Sequence, residues 1–147
     1  MLLDTISLFV PMGIITMFIL IDLFRKGSIE KTRAYYSDTF FTKLPPYRAF
    51  KTIVAFATKN GYQIDDFNEL NLAIILNERM SWKSFGSFYT IYIREQAGKT
   101  FVEVGVAGKV GKLFYLISPF NKKLVTLRLE RMLNAVKAAV FDYERPD

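Results

Sequence analysis

Three regimes of hydrophobic patterning divide the chain. From Thr5 to Ile21, 17 consecutive residues carry no charge, and passing Asp22 to take in Leu23 and Phe24 extends the run to 20. At about 1.5 Å of rise per residue such a helix is about 30 Å long, the thickness of a hydrocarbon core. Its polar groups are only Thr5, Ser7 and Thr16, and the apolar residues fall on every side. A core helix would show one stripe instead. The leading Met1-Leu2-Leu3-Asp4 has no basic residue, so the run does not read as a cleaved signal peptide. The pattern predicts an uncleaved transmembrane helix over residues 1–24.

The second regime, residues 25–45, lacks a core period. Tyr35, Tyr36, Phe40 and Phe41 stand among Lys31, Arg33 and Lys43. Aromatic rings beside basic residues just past a membrane helix fit an interfacial belt. The segment reads as a juxtamembrane connector, with Arg25, Lys26, Lys31, Arg33, Tyr35 and Tyr36 as its membrane-interface residues. Basic residues follow the apolar run and none precede it. The positive-inside rule then places the N-terminus outside and residues 46–147 in the cytoplasm, for a single-pass membrane protein.

The third regime alternates helical and strand periods. Phe50, Ile53, Val54 and Ala57 recur at helical spacing between Pro46 and the stop signal Asn60-Gly61. A short strand is expected over 62–64, and a solvated acidic turn over 65–71. Leu72, Ile74 and Leu76 alternate, and a longer strand rich in β-branched and aromatic residues spans 85–95. Gln96-Ala97-Gly98-Lys99 reads as a hairpin turn, followed by Val102, Val104 and Val106 on one face of 100–107. A short fifth strand is expected over 113–117. Val125, Leu129, Met132, Leu133, Val136 and Val140 then mark a C-terminal helix from about Pro119 to Asp142. Strands this close in sequence connect antiparallel. The fold class is α+β: two helices on an antiparallel meander in the order α-β-β-β-β-α, with room for the fifth strand.

The strands imply a second apolar face. Phe88, Tyr92 and Phe101 fall opposite the valine face. If both helices cover the valines, these three rings form a candidate partner-binding patch.

Composition narrows the chemistry. The 147 residues include no His and no Cys. That excludes disulfides, thiol nucleophiles, the usual zinc sites and Ser-His-Asp mechanisms. Net charge is +6, with 8 basic against 2 acidic residues over 25–60 and 8 against 4 over 108–147. Such ends suit an anionic lipid surface, or simply solvated helix faces. The glycine-rich stretch 105–112 fails as a phosphate loop, since Val106 and Leu113 stand where a Gly and a Ser or Thr are required. The stretch Lys83-Ser84-Phe85-Gly86-Ser87-Phe88 only faintly matches an RNA-recognition strand. Asp65, Asp66 and Glu69 lack the spacing of a calcium loop.

These observations favour a non-catalytic protein without metal or cofactor. The expected role is an accessory or assembly subunit of a larger membrane complex. Its partners would be other integral membrane subunits and an anionic lipid surface rather than nucleic acid, with a homo-oligomer left open. The alternative is a membrane-anchored domain that binds lipid or another apolar ligand. That alternative predicts a hollow between the sheet and the C-terminal helix, lined by Val102, Val104, Leu129 and Met132.

Overall fold

The computed structural model describes residues 2–24, 26–78, 86–109 and 119–145. Helix α1 spans Leu2–Phe24, followed by strand β1 at Tyr36–Thr42 and helix α2 at Pro46–Lys59. Strands β2 (Gln63–Asn68), β3 (Ala73–Asn77), β4 (Ser87–Gln96) and β5 (Lys99–Gly108) precede helix α3 (Pro119–Glu144). The five strands form one antiparallel sheet in the order β1-β5-β4-β3-β2.

The uncharged run is helical, but the membrane reading of it is overturned. Among the described residues no helix is long and apolar enough to cross a membrane. The helical bounds take in Asp4, Asp22, Pro11 and three hydroxyl residues. Thr16 must donate its hydroxyl back to the Met12 carbonyl at 2.8 Å. An uncharged stretch is therefore not by itself a span, and the single-pass, N-terminus-outside topology built on it falls with it.

The connector also differs from expectation. Residues 36–42 are an edge strand that pairs with β5 from Tyr36↔Val106 to Thr42↔Thr100. Only Phe40 and Thr42 are buried along it, so the alternation that marks a half-buried strand is nearly erased by Ser37, Asp38 and Thr39. The sheet thus begins before residue 46. The expected short strand runs on into the first part of the acidic turn to form β2, with a register shift between Ile64 and Asp66 that leaves Asp65 as the bulged residue, and the turn follows at 69–72.

The other elements follow the sequence pattern. Pro45 precedes α2 in extended conformation and Pro46 opens it. The chain leaves α2 through Asn60 and the left-handed Gly61. Ala97 and Gly98 both have positive φ, the geometry of a two-residue type I′ hairpin joining β4 to β5. Residues 113–117, the expected fifth short strand, lie outside the described residues.

Both α2 and α3 lie on one face of the sheet. Ile53, Ile74, Leu76, Ile91, Val102, Val104, Val106, Val136 and Val140 are buried together there. The far end of α3 is tied to β1: Glu144 accepts from the Thr42 hydroxyl and, at 2.7 Å, from the Lys43 N–H. The opposite face carries a second small core of Ile75, Phe88 and Ala107, against which Ile29 packs. The chain from Gly27 to Tyr35 crosses this face. Gly27 and Ile29 donate their N–H groups to Asp65 at 2.7 Å and to Asp66 at 2.8 Å, and the Tyr35 N–H donates to the Val106 carbonyl at 2.8 Å.

Candidate functional site: a hollow beneath helix α3

The core stripe of α3 does not use all its apolar residues. Leu124, Leu127, Arg128, Arg131, Met132 and Ala135 recur at steps of three and four, so they share a second, neighbouring face of the helix. That face looks across to Tyr62, Glu78 and Tyr89. Together these residues enclose a hollow of about 540 Å³ between α3 and the β2–β4 side of the sheet. The size falls within the usual range for small-molecule sites, roughly 300–1,000 Å³. Leu124 and Leu127 remain 51% and 40% exposed, although they sit beside a completed core.

The sheet side is built by strand alternation. Tyr89 follows Ser87 and precedes Ile91 on the helix-facing side of β4, and Leu76 pairs with it from β3. Glu78 continues that side one step beyond β3, its N–H donating to the Ser87 carbonyl at 2.9 Å. Tyr62 is set by the end of α2, where its N–H donates to the Ala57 carbonyl at 3.0 Å. Its ring meets Tyr89 edge to face, with centroids 6.2 Å apart.

The polar groups have an order. Tyr89 is only 3% exposed, and its hydroxyl donates to Glu78 Oε2 at 3.3 Å. Burial, reinforced by the Glu78 charge, raises the Tyr89 hydroxyl well above the ordinary phenol value. Tyr62 is raised by the same two causes in the same order. Both phenols are therefore neutral donors at physiological pH. Arg128 donates from Nη1 to Ser87 Oγ at 2.7 Å, which draws its guanidinium inward. Arg131 stands one turn further along at the exposed rim.

A smaller hollow of about 420 Å³ lies at the other end of α3, between β1 and Phe141. Between the two ends the helix and sheet are in close contact. Val102 and Val104 are fully buried, and Leu129 and Met132 nearly so. The hollow expected from the sequence is thus filled at its centre, and only Met132 of those four residues borders the larger space.

The sequence-derived site residues scatter. Phe88 is on the predicted face but 0% exposed, because Gly27 and Ile29 cover it. Tyr92 and Phe101 are half-buried on that face, where Phe101 meets the exposed Phe41 at 6.4 Å. The three rings therefore do not make one open patch. Lys26, Lys31 and Arg33 are exposed, Tyr35 and Tyr36 are half-buried, and Arg25 lies outside the described residues. Among the described residues no cluster of three acidic, His or Cys side chains could hold a metal ion. Apart from Met132, the lining of the larger hollow was missed. The available signal was Leu124 and Leu127, two apolar residues at helical spacing that the core stripe does not need.

No family model matches the chain, and no curated protein does. Among solved structures, the crystal structure of Ara h 8.0201 is similar, with a TM-score of 0.54 and 11% identity over 74% of this chain and 95% of that one. The likeness at that identity is one of fold. It shows a small α+β domain of a five-stranded antiparallel sheet and helices.

Proposed function

We propose that this chain is a non-catalytic binding protein that holds an apolar small molecule between α3 and the sheet. The observation that carries this reading is the hollow of about 540 Å³, toward which Leu124 and Leu127 turn their side chains without closing it. Exposed leucines over a hollow gain about 25 cal/mol for each Å² of apolar surface that a guest removes from water. The likeness of fold, at 11% identity, bears on the architecture alone, and the reading rests on the hollow itself. Among the described residues no arrangement of acid, base and nucleophile accompanies the hollow. Glu78 and the neutral phenols suit it to orienting a guest rather than transforming one. The assembly-subunit reading rests on the exposed apolar side chains of α1 alone, and the comparisons add nothing to it.

The test is titration with an uncharged fluorescent amphiphile such as N-phenyl-1-naphthylamine. Saturable 1:1 enhancement is expected. Ala135→Trp, which fills the hollow from α3, should abolish it while leaving the far-ultraviolet circular dichroism intact. A wild-type protein that gives no enhancement, or a folded Ala135→Trp that binds unchanged, would overturn the proposal.

A further inference from the structure

Resting on that reading, we infer that the natural guest is an amphiphile with an anionic head, a carboxylate in its simplest form, received by Arg131 at the rim. The lining is divided along its length. Leu124, Leu127, Met132 and Ala135 give it an apolar wall, and Arg128 and Arg131 interrupt that wall at a spacing of three. Residues three apart on a helix are neighbours, so the two guanidiniums form one cationic spot on one turn.

Glu78, the single carboxylate among the described lining residues, is already engaged. Glu78 accepts from the Tyr89 hydroxyl, and its backbone carbonyl accepts from the Lys109 ammonium at 2.8 Å. Arg128 is oriented by Ser87. Among the described residues Arg131 makes no ion pair and no hydrogen bond. The first half of α3 also carries Lys122 and Lys123 against the lone Glu130, so that stretch of the helix is net positive.

The chemistry of the head follows from the donor. A guanidinium presents parallel N–H groups in a fixed fork that matches the two oxygens of a carboxylate. A neutral alcohol or amide head offers it one acceptor and no charge. A purely apolar guest would leave the guanidinium to water and gain nothing from it. The apolar wall therefore sets affinity, and the arginine selects the head.

The test compares two ligands with one chain length, decanoate and decanol, each kept below its aggregation limit, displacing the neutral naphthylamine from full-length protein. Decanoate is expected to bind about tenfold tighter, the equivalent of one charge-assisted hydrogen bond. Arg131→Gln should abolish that preference, read as the ratio of decanoate to decanol affinity in the same variant, and Arg131→Lys should restore part of it. Raised salt should weaken decanoate alone. Equal binding of the two ligands to the wild type would overturn the anionic head but leave the apolar site standing. A decanoate preference that survives Arg131→Gln would overturn the role of Arg131. Failure of both ligands to displace the probe would overturn the proposed function and this inference together. A thermal melt of Arg131→Gln confirms that the variant is folded, and its rim position predicts little change.

Discussion

The two faces of the sheet are covered by different means. The inner face receives two helices whose branched side chains interlock, yet a hollow of about 540 Å³ survives beside them. Among the described residues the outer face is covered by the chain from Gly27 to Tyr35, yet Phe88 and Ile75 beneath it are fully buried. The covering segment succeeds because each close contact has a glycine on one side, Gly27 in the cover and Gly105 in the sheet. A Cβ on Gly27 would meet Ile75 at 2.7 Å and the Phe88 ring at 3.0 Å, and one on Gly105 would meet Thr90 and Ala34. Close approach of backbone to sheet needs no large interface, only absent side chains and fixed anchors. Helices do not come so close, and beside them the hollow remains.

If the thin cover is a true core, its removal should be as damaging as a core deletion under a helix. Phe88→Ala is expected to destabilise by about 3–5 kcal/mol. In a chain of this length that lowers the melting temperature by roughly 10 °C or more. Leu127→Ala, on the exposed wall of the hollow, should stay within about 0.5 kcal/mol. Thermal melts of the two variants check the contrast. A small shift for Phe88→Ala would mean that residues 27–35 do not hold the outer face closed.

The anchors of the cover come next in size. Asp65 is 5% exposed and accepts from the Gly27 N–H and from the Asn77 amide, leaving its Oδ1 without a partner. Asp65→Ala strands both donors in a buried place and should destabilise by about 2–3 kcal/mol. Asp66→Ala loses one half-buried bond to Ile29 and should lose about half as much. Amide hydrogen exchange at Gly27 and Ile29 reports each bond separately. Equal protection at Gly27 in the wild type and in Asp65→Ala would show that the carboxylate is not the anchor.

What the sequence discloses follows the range of the interactions. The β4–β5 hairpin is legible because its turn residues and its β-branched alternation lie within a few positions of each other. The face occupied by Phe88 is legible for the same reason. Its burial is not, because the cover is pinned from 38 residues away by Asp65. Strand β1 is hidden because an edge strand needs one apolar face only, and Ser37-Asp38-Thr39 dilutes it. The bulge at Asp65 makes a strand look like an acidic turn. At α3 the six-residue core stripe is plain, while the wall of the hollow is concealed by Arg128 and Arg131, which read as a solvated face. Candidate sites built on long-range convergence are the part a linear pattern conveys least.

The smallest expected effect separates the two faces by titration. Each face encloses an ionisable side chain whose shift runs opposite to the other's. Tyr89 on the inner face is raised by burial, whereas Lys109 on the outer face, its ammonium 5.6 Å from the Phe88 ring centroid, is lowered by burial. For Tyr89 the folded protein retains a proton that the unfolded chain releases near pH 10. Its contribution is complete below that pH and declines as pH rises above it. For Lys109 the unfolded chain still holds a proton that the folded protein has begun to release. Its contribution is complete above about pH 10.5 and declines as pH falls through the lower, folded value. Denaturant midpoints measured from pH 8 to 11 should therefore show less loss above pH 10 in Tyr89→Phe than in the wild type. Lys109→Met should instead remove a gain just below pH 10.5. Parallel pH profiles in all three proteins would show that neither face imposes its burial on the group it encloses.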